Sequence, residues 1–111
     1  MAEQKEKQTF DGGVTDEQIA RWKAQHRKVM RIDIEDGGET HVGYFKRPSM
    51  ETMAAVNKLA KTDEVLSGQA LFDGCWLGGS EAMRQDAVVY MACMAQLNTA
   101  FSQFSGTLKN L

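Results

Sequence analysis

Hydrophobic positions change period along this chain, and each change marks a new element. Ile19, Trp22 and His26 recur at helical spacing. Thr15 stands just before them as a helix cap, with Asp16 and Glu17 in the first turn and Gln18 at the capping-box position. A helix is predicted over residues 16–26, laying Trp22 on the core. The period then drops to two. Met30, Ile32 and Ile34 alternate with Arg31, Asp33 and Glu35, the pattern of a half-buried strand. Asp36, Gly37 and Gly38 form a turn, and Val42 and Tyr44 alternate on the return. A three-residue loop pairs Ile34 with Thr40, Ile32 with Val42 and Met30 with Tyr44. It gathers five apolar residues on one face, and this register is the expectation. The competing two-residue loop brings His41, Gly43 and Phe45 to that face. In the expected register His41 is a surface residue on the other face.

Pro48 ends the strand, and the period returns to helical. Ser49 caps a helix through METMAAVNKLAK, and TDEVLSGQALFDG reads as the next one. Gly68 inside it costs about 1 kcal/mol against alanine, so a bend or close packing is expected there. The stretch LFDGCWLGGSEAM, residues 71–83, is the most distinctive in the chain. Leu71, Phe72 and Cys75 continue the helical stripe, and Gly78 and Gly79 are suited to the left-handed geometry that stops a helix. Trp76 and Leu77 fall at the hinge, and Ser80 with Glu81 restarts the chain. Phe72, Cys75, Trp76 and Leu77 are therefore predicted to form a structural plug. Asp86 caps a final helix through AVVYMACMAQLNTAFSQF that is apolar around much of its circumference, with Val88, Val89, Met91, Cys93, Leu97, Phe101 and Phe104. Leu108 and Leu111 are placed as late plugs. The fold class predicted is α+β: an N-terminal helix, a two-stranded antiparallel β-hairpin, then three or four helices packed on it. Residues 1–13 are expected as a flexible tail and residues 14–111 as a single domain. A lone hairpin leaves two open edges, which favours pairing with a second copy or a partner strand.

Composition narrows the function classes. The chain has 111 residues, 42% hydrophobic and 25% charged, enough for one modest core. Its net charge of -2 gives no general attraction to nucleic acid or anionic membrane. A basic cluster between Arg21 and Arg31 is followed at once by Asp33, Glu35, Asp36 and Glu39, and is read as a solvated charged face. The first residues are charged, and no run is long enough to span a bilayer, so a cytoplasmic protein is expected. His26, His41, Cys75 and Cys93 lack metal-ligand spacing, and the glycine-rich turns lack a phosphate-binding pattern. Cys75 precedes a Gly-Gly-Ser break rather than opening a helix, and no base stands near it in sequence. Both thiols are read as buried and free. No catalytic, cofactor-binding or metal-ligating residue is predicted. Seven methionines suit core filling and also adaptable binding surfaces. With the over-apolar last helix, they make Met83, Met91, Met94 and Phe101 the candidate partner-binding residues.

The order of segments carries a resemblance. A charged helix leads to a hairpin ending in YFKRPSMETMAAV, then to a helix with ALFDGCWLGG, then to a long helix ending LNTAF and TLKNL. This resembles a family of small bacteriophage and prophage proteins and, more distantly, phage tail assembly chaperones. Those share a short β-element closing on a basic-Pro step, here Lys46, Arg47 and Pro48. They share an apolar segment that ends like Leu71 to Cys75, followed by an acidic turn and a C-terminal helix. The resemblance spans residues 15–111. It implies a non-enzymatic helper in the host bacterial cytoplasm that binds apolar segments of a phage tail protein, and a homo-oligomer is expected. A small oligomeric virion or connector protein is the alternative. A cysteine-dependent enzyme or regulator centred on Cys75 is the further one.

Overall fold

A computed structural model describes residues 8–111, and among them it is a mixed α+β fold of five helices and a four-stranded sheet. The elements are β1 (Gln8–Phe10), α1 (Asp16–Gln25), β2 (Val29–Asp36), β3 (Glu39–Lys46) and α2 (Met50–Ala60), then α3 (Glu64–Cys75), β4 (Trp76–Gly79), α4 (Ala82–Gln85) and α5 (Ala87–Phe101). Helix starts follow the capping chemistry. The Gln18 N–H donates to Thr15 Oγ1 at 3.2 Å, and the Thr15 N–H donates to Gln18 Oε1 at 2.9 Å, a complete capping box. Ser49, Asp63 and Asp86 accept the first free N–H groups of α2, α3 and α5. Helix α3 runs unbroken through Gly68, and a Cβ added there would meet the Tyr90 hydroxyl at an ordinary 3.6 Å. Neither a bend nor close packing accounts for that glycine.

Strand β3 is the middle of the sheet. Strand β2 lies antiparallel along one edge, while β1, parallel, and β4, antiparallel, divide the other edge between them. Strand β1 takes positions 39–41 and β4 takes positions 43–45. Two expectations are corrected here. The first element is a strand that precedes α1, so residues 8–13 are not part of a loose tail; residues 1–7 lie outside the described residues. And Trp76, Leu77, Gly78 and Gly79 form a strand, not a hinge. Helix α3 stops at Cys75, and Trp76 turns extended with φ -65 and ψ 127. Of the two glycines only Gly79 has positive φ, at 146, so no left-handed pair stops the helix. The β3 edge supplies the reason: its backbone N–H and C=O groups need partners, and an extended WLGG provides them.

The hairpin register also differs from the expectation. Ile34 pairs with His41, Ile32 with Gly43 and Met30 with Phe45, across a two-residue Gly37-Gly38 loop. Gly37 carries φ +63 and Gly38 does not have positive φ, the pattern of a tight type II′ hairpin turn. The expected register assumed a sheet with one apolar face, but helices cover both. Val42 and Tyr44 are buried on the α1 side, where the Tyr44 ring lies 5.7 Å from Trp22. Ile32 and Phe45 are buried on the side of α3 and α5. With both faces covered, β3 carries apolar side chains on each, Val42 and Tyr44 on one and Phe45 on the other, and alternation cannot choose the register.

The main core joins Ile32, Phe45, Leu71, Phe72, Cys75, Met83, Val89, Cys93 and Leu97. Leu108 and Leu111, expected as plugs, are exposed, because residues 102–111 carry no helix or strand that would fold them back. No helix of the described residues is long and apolar enough to cross a membrane. Gly43 is a tight point at the centre of the sheet. A Cβ there would collide with Met83 Sδ and stand 2.9 Å from the Phe45 ring. Gly43→Ala is expected to destabilise the fold by about 1–3 kcal/mol in chemical denaturation. Gly38→Ala, where nothing lies within 4 Å of the added carbon, should stay within about 1 kcal/mol of the parent.

Candidate functional site

The predicted plug packs as one cluster of rings around Cys75. Phe72 stacks on Trp76 with centroids 5.3 Å apart, and Phe45 meets both rings edge-on at 5.4 Å. Tyr90 of α5 closes the group 5.2 Å from Phe72. Leu77 is half-buried in β4. Burial pushes the Cys75 thiol up to about 11, with the Lys46 charge opposing only in part, and pushes Cys93 up to about 12. At neutral pH both are protonated thiols, whereas a nucleophile or metal ligand needs the thiolate.

His41 is buried, not on the surface as expected. In the observed register it faces β1 and the start of α4. Its Nδ1 lies 2.8 Å from Ser80 Oγ, its Nε2 lies 3.0 Å from Glu39 Oε2, and its ring stacks on Phe10 at 5.2 Å. A hydroxyl, an imidazole and a carboxylate in series is the layout of acyl-transfer triads. Here the Ser80 Oγ also accepts the Ala82 N–H at 3.3 Å, and Ser80 is only 4% exposed. The series therefore ties β3 to the turn before α4. Asp36 and Glu39 bring their carboxylates within 4.8 Å of the same imidazole, which already has a partner on each nitrogen. No buried side-chain nitrogen or oxygen among the described residues lacks a partner.

The candidate partner-binding residues do not share one surface. Met83 is fully buried beneath Gly43 and takes no part in any surface, a correction to the sequence expectation. Its position in the short helix α4, which packs directly on β3, puts it inside the core. Met94 is half-buried against the core, and Met91 is exposed on α5 beside Val88. Phe101, at the end of α5, lines the most apolar cavity, a groove of about 550 Å³. Met53 and Val56 of α2, Leu71 of α3, Phe104 and Arg47 form its other walls. Helical periodicity placed Phe101 there. Arg47 escaped it because it lies in a loop, and Phe104, which the spacing put in the same helix, lies beyond it because α5 ends at Phe101.

The class this architecture defines is a small α+β protein whose most apolar surface feature is a helix-lined groove. Comparison with protein-family models, with curated protein sequences and with solved structures finds no match.

Two measurements test this account of the buried polar and thiol groups. Ser80→Ala leaves His41 Nδ1 without its partner and should cost about 1–3 kcal/mol in chemical denaturation. The thiols act through linkage. Their folded values stand above the ordinary 9.0. Their contribution is thus complete below pH 9.0 and is lost as pH rises toward about 11 and about 12. Stability should fall across that alkaline window, and replacing Cys75 and Cys93 by alanine should flatten the slope.

Proposed function

We propose that this chain is a non-enzymatic bacteriophage assembly protein, of the tail-assembly-chaperone kind its sequence resembles. It holds apolar segments of a tail protein in the host bacterial cytoplasm until assembly. The observation that carries this reading is the groove. Met53, Val56, Leu71 and Phe101 present apolar surface from three helices to one opening. Burying apolar area there is worth about 25 cal/mol per Å², so even a short partner segment gains enough to be held and little enough to be released. The raised thiols supply no thiolate nucleophile at Cys75 or Cys93, which favours binding over thiol catalysis.

A second reading, a small oligomeric virion or connector component, draws on strand β2. Among the described residues it pairs only with β3 and leaves an open edge. Such an edge accepts a strand from another copy.

Co-expression with the long tail protein of the same phage should separate the two readings. A chaperone raises the soluble fraction of that protein, and mass spectrometry of purified virions then finds the chain absent. Stoichiometric presence in finished particles would sink the chaperone reading in favour of the structural one.

A further inference from the structure

We infer that the groove takes an apolar segment flanked by acidic residues, and that Phe104 is a latch which this segment displaces. The inference rests on the binding role proposed above and specifies the partner's chemistry. Every charged side chain on the groove and on the adjoining cavity of about 380 Å³ is positive: Arg47 on both, Lys28 on the second. Neither cation has a carboxylate within salt-bridge distance among the described residues. The surface therefore couples apolar walls to two cations without counter-charges, and it complements a partner that is apolar with acidic flanks.

Phe104 occupies the place where those charges and walls meet. It lines both cavities, and its ring sits under the Arg47 guanidinium at 4.6 Å. It is nevertheless 59% exposed. It also lies beyond Ser102, the last described residue to make a hydrogen bond, in a stretch without helix or strand. A ring held by one guanidinium on an otherwise untethered segment is easily exchanged. An incoming apolar side chain takes the ring's place in the groove, and an incoming carboxylate takes the guanidinium that the ring gives up.

The probes are two synthetic amphipathic peptides with the same leucine and alanine face, one flanked by glutamates and one by lysines. Binding is measured by titration calorimetry on the full chain. The glutamate peptide should bind at least about tenfold tighter than the lysine peptide. Arg47→Glu should reverse the preference, and Arg47→Gln should abolish it while circular dichroism stays unchanged. Phe104→Ala should tighten the glutamate peptide several-fold. Equal affinity for both peptides would overturn the charge inference and leave the apolar binding role standing. Weaker binding by Phe104→Ala would overturn the latch, since the ring would then be part of the site. No binding by either peptide would overturn the inference together with the binding role. A concentration-dependent dimer in light scattering that Phe104→Asp dissolves would assign the groove to a second copy instead.

Discussion

Strand β3 carries constraints from four sides at once. Strand β2 pairs along one edge, and β1 and β4 divide the other; α1 packs on one face, with α3 and α5 on the other. Such a strand must be apolar on both faces and small where neighbours crowd. The segment His41–Val42–Gly43–Tyr44–Phe45 meets both demands and is buried throughout. Gly43 is a point of close approach, with the Met83 sulfur over it and Gly79 of β4 beside it. The rest of the molecule is arranged about that contact. Helix α4 is too short to be stable alone and is held because Met83 needs the space Gly43 leaves.

That constraint explains which parts of the fold were legible in sequence. Local chemistry was readable wherever it acts within a few residues. The Thr15 capping box, the caps at Ser49 and Asp86, and the stripe through Phe72 and Cys75 all form as their spacing predicts. Strand pairing was not readable to the same degree. A hairpin register follows from alternation only when one face is wet, and β3 has no wet face. Residues 8–10 and 76–79 gave no strand signal of their own. They are extended because β3 offers unpaired backbone groups, a fact visible only in three dimensions. His41 was misplaced for the same reason, since one step of register moves it from solvent to the Ser80 turn.

The candidate site shows the same division. Phe101 was found through helical periodicity, and Met83 was misassigned because periodicity cannot tell an inner methionine from an outer one. Arg47 and Phe104 meet across a long sequence separation, joining the end of β3 to the segment beyond α5. The groove between them depends on how α2 and α3 lean against the last turn of α5. In the role proposed here, the rigid part of the molecule is the sheet with its ring cluster, and the adaptable part is the rim around Phe104. Stability and binding are thereby separated in space.

The shared edge of β3 has a consequence for the chain as it is made. Residues 39–46 leave the ribosome before residues 76–79 do, so one half of that edge waits for a strand that has yet to emerge. Until β4 arrives, the strand that ends up most buried stands with open backbone groups, a template for any extended segment nearby. Strand β1, already made, can shield positions 39–41 during that interval but not positions 43–45. The order in which the strands emerge therefore sets a window of vulnerability, and it closes only when WLGG docks.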